Sequence, residues 1–269
     1  MMKFTNSLYN IRLLDDLSQK DTFIHRLHPL AKLVTTVIYL TVVMSFGRYE
    51  ISKLLPFVIY PLLIVILAEL PVAPLLHRII LVSPLIVGIG IFNPLFDNNT
   101  IVIFEISFSK GWIAFLSLLL KGVFSISAGL IFIATTRIDH FAAALRMLRI
   151  PSIFVLQLLQ TYRYITVLIE EFLKMSQAYF LRAPEQGGIK PTIWGSFVGQ
   201  LLLRSFDRAE RVYQAMLLRG FHKEYNIGFY QKVSIKDFGY MTGWALVFAI
   251  AKTYNIPLLL ETLISGVIK

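Results

Sequence analysis

Long apolar blocks fix the class of fold open to this chain. They cover residues 33–46, 54–70, 79–92, 112–135 and 238–250, and short polar breaks such as Gly47-Arg48-Tyr49-Glu50 separate them. Segments this apolar place their backbone in hydrocarbon. Only a helix satisfies every backbone polar group within one such segment. The charged share is only 16%, against about a quarter in a soluble domain. The sequence therefore predicts an all-α integral membrane protein with about five transmembrane helices. A further block, 256–268, contains Pro257 and is short, so it reads as interfacial or a partial span.

Details within the blocks sharpen this. Pro29 suits the first turn of the first span, and Lys32 marks a membrane edge. Pro56 and Pro61 predict a bent second helix, and Pro84 interrupts the third. Gly88 and Gly90 allow close helix packing. Residues 101–108 alternate in polarity, as a short surface hairpin would. Lys121 lies inside the fourth block, where a lysine snorkels, pairs across helices or marks a boundary.

Charge divides the chain into three parts: 1–136, 137–236 and 237–269. The middle part holds 14 of the 26 Lys and Arg residues. Its apolar positions recur at helical spacing, as in amphipathic rather than spanning helices. Three helices are expected there, at about 138–149, 152–182 and 191–219, with Pro151, Pro184, Gly187-Gly188 and Gly220 as stops. The positive-inside rule places this part in the cytoplasm and the basic-poor loop 93–110 outside, so the amino terminus is cytoplasmic. The same rule accounts for the formal charge of +10 without nucleic acid as a partner. The first 28 residues lack the apolar core of a cleavable signal peptide. The chain has no cysteine, which excludes disulfides and thiolate metal sites.

The most charged helical stretch is 203–221. Arg204, Arg208, Arg211, Ala215 and Arg219 recur at steps of three and four and share one face. Asp207 and Arg211 are spaced for a one-turn ion pair. Gly220 follows Arg219, where a helix ends well. A second end reads alike. Gln177-Ala178-Tyr179-Phe180-Leu181-Arg182-Ala183 matches Gln214-Ala215-Met216-Leu217-Leu218-Arg219-Gly220, with one residue more in the latter. An arginine at one helix end simply complements the dipole. Two matching ends suit a partner with two similar sites.

The segment 201–221 closely resembles the second conserved segment of the T components of energy-coupling factor transporters, most of all the cobalt and nickel branch of CbiQ type. His28-Pro29-Leu30-Ala31-Lys32-Leu33 resembles the start of the family's first span, and the plan of spans, cytoplasmic helices and a last span matches along nearly the whole chain. The family's two short motifs centre on Ala-Arg-Gly; here they stand as Leu181-Arg182-Ala183 and Leu218-Arg219-Gly220. The resemblance implies long cytoplasmic coupling helices whose arginines dock into grooves of two ABC ATPase subunits, against acidic residues. Arg204, Arg208 and Arg211 would form a supporting basic face. It also implies a membrane-embedded substrate-binding partner (an S component, CbiM-like), a prokaryotic cell membrane, and cobalt or nickel cargo held on that partner. No cofactor, metal or catalytic group is expected on this chain.

Other residues read more plainly. His25 and His28 are spaced like metal ligands but have no third ligand nearby, and His77, His140 and His222 are isolated. Glu170-Glu171, beside Lys174, reads as a solvated face. No phosphate-loop pattern occurs, so ATP hydrolysis belongs to other chains, and no hydrolase or protease pattern supports an enzyme. The rival reading is a self-contained secondary transporter or channel. Such proteins need ionisable groups at mid-membrane, and only Glu69 and Lys121 are candidates.

Overall fold

The structure, a computed structural model, describes residues 17–96, 100–103, 106–183, 188–221 and 233–254. The expectations for Pro184, Gly187, His222 and the block 256–268 lie outside the described residues. The chain divides into two compact units, Met1–Arg137 with Gln231–Lys269, and Ile138–Tyr230. All long elements are helices, as expected.

In the first unit a short helix α1 (Phe23–Arg26) precedes α2 (Pro29–Met44). The His28-Pro29 pair starts α2 for a local reason. The His28 ring accepts the Leu30 N–H as the cap, and Pro29 occupies a position that needs no N–H bond. Next come α3 (Ile51–Leu54), a 3₁₀ turn at Leu55–Val58 and α4 (Ile59–Leu67). The expected bend is therefore a tightened turn at Pro56, whose missing N–H interrupts the α ladder. Then follow α5 (Val72–Gly90), with Pro84 inside it, α6 (Phe92–Phe96) and α7 (Lys110–Thr135). Between α6 and α7 the expected hairpin is present: β1 (Thr100–Ile103) pairs antiparallel with β2 (Ile106–Ser109). Its last described element is α11 (Ile235–Thr253).

Helix α7 is the spine. It packs against α2, α3, α4, α5 and α6, while α11 lies on α2. Small residues set the close approaches. A Cβ on Gly111 would stand 2.5 Å from the Pro94 Cα and 2.6 Å from the Asn93 oxygen, and one on Gly90 would strike the Phe115 ring. Gly88 faces open space, so only Gly90 of the expected pair is used for packing. The two alanine substitutions along α7 should therefore differ. Gly111→Ala meets backbone that cannot yield and should cost ~1–3 kcal/mol. Gly129→Ala meets nothing within 4 Å and should be neutral or slightly stabilising. Equal thermal midpoints for the two variants in detergent would refute this packing.

The core of the unit is aromatic. Tyr39, Phe57, Tyr60 and Phe248 are nearly inaccessible, and the Tyr39 hydroxyl donates to the Phe57 carbonyl at 3.0 Å. Lys121 does not stand free in the membrane. Its ammonium donates to the Phe46 and Gly47 carbonyls, at 2.7 and 3.2 Å, just past the end of α2. Glu69 sits beyond α4 in a left-handed turn (φ 49°), where its carbonyl accepts from Lys20.

A buried polar cluster joins four segments of this unit. The Lys32 ammonium donates to the His25 carbonyl at 3.1 Å and to the Thr135 carbonyl at 2.8 Å. The Asp237 carboxylate accepts the His28 N–H through one oxygen and the Ser234 N–H through the other, both at 2.7 Å. The His25 ring contacts the Leu17 and Ala134 carbonyls through Nε2, which fixes the proton there, and Nδ1 accepts from Thr22. Burial holds this imidazole below the ordinary histidine value, and the charges of Lys32 and Lys20 act in the same direction. Both His25 ring nitrogens are thus occupied by bonds within the unit, and the His28 Nδ1 by the cap of α2.

Candidate functional site

Among the described residues the second unit is built from three helices: α8 (Ile138–Met147), α9 (Ser152–Arg182) and α10 (Pro191–Leu218). Their boundaries fall within two residues of the expected ones, and proline sets two of the starts. Pro151 caps α9 and Pro191 opens α10. Helix α8 packs on α9, and α9 on α10.

Helices α9 and α10 run antiparallel, and their cross-helix contacts keep one register along most of their length. Phe172 and Tyr179 of α9 lie against Phe197 of α10, with ring centroids 5.8 and 6.3 Å apart, and Phe172 also stacks on Trp194. Glu171 forms an ion pair with Arg204. Further along, the Gln160 amide donates to the Met216 sulfur at 3.7 Å. Aromatic edges and one charge-assisted bond therefore lock a pair whose outer faces stay exposed.

This register decides where the two arginines stand. Arg182 ends α9, and Arg219 caps α10 at its far end. Helix α10 has 28 residues, so the two arginines are separated by ~40 Å at 1.5 Å per residue. Each arginine is exposed and is preceded by a leucine with almost no cover: Leu181 is 84% exposed and Leu218 is 90% exposed. A single amphipathic pair thus offers two like tips, one at each end.

The two ends differ in backbone in a way that explains their sequences. At the Arg219 end the chain turns through Gly220 at φ 78°, and the Phe221 N–H returns to the Met216 carbonyl at 3.0 Å. Only glycine takes that conformation without strain. At the Arg182 end, Ala183 has φ −136° and its N–H reaches the Tyr179 carbonyl. That backbone is open to any residue, so the alanine there is no defect. Gly220→Ala should cost ~1–2 kcal/mol even though its Cβ would meet open space. Ala183→Gly should stay within a few tenths. Thermal unfolding of both variants checks this; equal losses would contradict the geometry.

The basic face is only partly free. Arg204 is spent on Glu171, a residue the sequence suggested was solvated beside Lys174. Arg208 and Arg211 line a cleft of ≈ 240 Å³ with Glu171, Asp207 and Leu201. A neighbouring cleft of ≈ 340 Å³ runs from Arg204 past Lys174 and Tyr179 to Arg182. Sequence spacing placed Arg204, Arg208 and Arg211 on one face correctly. It missed the aromatic lock, whose only trace was the seven-residue step from Phe172 to Tyr179.

Among the described residues, three helices are long and apolar enough to cross a membrane, Val72–Phe96, Lys110–Thr135 and Ser152–Arg182, beside the shorter apolar helices Pro29–Met44 and Ile51–Leu67. The chain is thus a multi-pass membrane protein. An uncharacterized protein of Methanocaldococcus jannaschii is 25% identical over 222 residues, which cover 78% of this chain and 75% of that protein. The cobalt transport protein family CbiQ matches residues 20–227, a stretch that includes both arginine ends and the His28-Pro29 start of α2. The chain therefore belongs to the CbiQ family and is a membrane component of cobalt transport.

Proposed function

We propose that this chain is the coupling subunit of an energy-coupling factor importer. It passes the motion of two ATPase subunits to a substrate-binding membrane subunit that carries the cobalt ion. The observation that carries the reading is the pair of like arginine tips at opposite ends of one antiparallel helix pair. Two copies of one partner, or two close homologues, would each receive one tip. An arginine fork binds a carboxylate bidentately and keeps its charge at a wet interface. Leu181, Leu217 and Leu218 supply apolar contact around it.

The reading places the Ile138–Tyr230 unit on the cytoplasmic face. Its share of the basic residues supports that side. Helix α9 has the length to cross a membrane, but Arg163, Glu170, Glu171, Lys174 and Arg182 would then enter or flank the hydrocarbon. The self-contained transporter loses support. Lys121 is bound to carbonyls at a helix end, and Glu69 occupies a turn.

Affinity purification of the tagged chain from its own membranes tests the proposal. ATPase subunits and a small membrane protein should accompany it, and cobalt uptake by the complex in liposomes should require ATP. Uptake by this chain alone, without any ATPase, would overturn the reading.

A further inference from the structure

The buried polar cluster stands at both places where the chain passes from one unit to the other. The chain leaves the first unit after Arg137 and returns to it at Gln231. Just before the exit, the Thr135 carbonyl, in the last turn of α7, is held by Lys32. Just after the return, the Ser234 N–H, at the start of α11, is held by Asp237. Asp237 also holds the His28 N–H, so the residue that caps α2 is tied to the start of α11. Lys32 and Asp237 are 4% and 5% exposed.

The arrangement is electrostatically specific. A cation sits at the carboxy-terminal end of α7 and an anion at the amino-terminal end of α11, each complementing its helix dipole. Buried ions of this kind rarely add stability over well-packed apolar residues. What they add is direction: hydrogen bonds fix where each helix end points, which apolar contact does not. In the first unit, the two tethers, the chain end before the exit and the one after the return, are therefore both bonded to the start of α2.

We propose that Lys32 and Asp237 are positioning residues for energy coupling: they clamp the two tethers together, so that displacement of the helix-pair unit moves α7 and α11 as one body. This rests on the coupling role proposed above. If that unit is driven by ATPase subunits, covalent transmission to the membrane helices must pass through these two tethers.

The test uses the complete transporter, with its ATPase and substrate-binding subunits, in liposomes. Cobalt(II) uptake and ATP hydrolysis are measured for the wild type, Lys32→Met, Asp237→Asn and Lys32→Met/Asp237→Asn. Each single change removes hydrogen bonds that one buried side chain makes to helix-end backbone and should lower thermal stability. The double change removes both charged groups and should assemble. It should still hydrolyse ATP within about twofold of the wild type but take up at least tenfold less cobalt per ATP. If its uptake per ATP matches the wild type, the cluster is structural only and the inference fails. It also fails if the double variant does not assemble where the wild type does, because the cluster then serves the fold. A wild-type complex without ATP-dependent uptake would instead refute the coupling role itself.

Discussion

Arg219→Glu is expected to release this chain from an ATPase subunit. The arginine is exposed, ends a helix capped by a strained-only-for-others glycine turn, and is preceded by Leu218, which is 90% exposed. Among the described residues no bond is made by that exposed side chain, so the fold should survive the change. Truncating one partner of a desolvated charge pair at an interface costs ~2–5 kcal/mol, or about 30- to several-thousand-fold in affinity. Reversal would add repulsion if, as proposed, the arginine docks against a carboxylate of the partner. Arg219→Lys keeps the charge but loses the fork and should fall between. Arg211→Glu lines the adjacent cleft. It should act mainly on the association rate, by a few fold, and lose its effect at high salt.

Arg182→Glu should repeat the result at the other end of the pair. With ~40 Å between the tips, the two sites share no contacts and the losses should add. Purified ATPase subunit titrated onto the detergent-solubilised chain should show two sites in the wild type and one in each single variant. The Arg182→Glu/Arg219→Glu double variant should show neither. Unchanged binding by Arg219→Glu would remove this residue from the interface, whatever the family it belongs to.

Much of the fold was legible in the sequence because punctuation and hydrophobicity are local. Pro29, Pro151 and Gly220 act within one helical turn, and each marks a boundary that the structure keeps. The apolar blocks likewise became the helices of the first unit. What sequence could not give were partners set by packing. Lys121 offered three readings, and only the approach of α2 to α7 selects the Phe46 and Gly47 carbonyls. Glu171 looked solvated because its partner Arg204 lies on another helix. Ala183 looked like a departure from a motif until the backbone showed that no left-handed turn forms there. The two arginine-bearing helix ends could be read from sequence, but their placement at opposite ends needed the antiparallel register, which rests on aromatic contacts no spacing rule specifies.

Phe248→Ala should loosen the last helix from the membrane unit more than any other single truncation along α11. Phe248 is 2% exposed and touches four rings, with centroids 5.4 Å from Tyr39, 6.0 Å from Phe57, 5.4 Å from Tyr60 and 5.5 Å from Trp244. In a bilayer the loss is not one of transfer from water, since lipid is as apolar as the core. It is the loss of dispersion contacts around a cavity that a lipid chain cannot fill. Phe→Ala changes in soluble cores cost ~3–5 kcal/mol, and ~2–4 kcal/mol is expected here for that reason. Leu246 and Val247, 62% and 50% exposed, are the controls; their alanine variants should change stability by less than ~0.5 kcal/mol. Unfolding in mixed detergent, followed by hydrogen exchange across residues 235–253, separates the outcomes. If Phe248→Ala and Leu246→Ala lose equally, the aromatic cluster does not hold α11. If Phe248→Ala alone loses protection and the loss reaches Asp237 at the start of α11, the cluster and the buried lysine–aspartate site act as one anchor. The last helix is then fixed at two levels: by ring packing along its length, and by charge at the end where the chain returns from the helix pair.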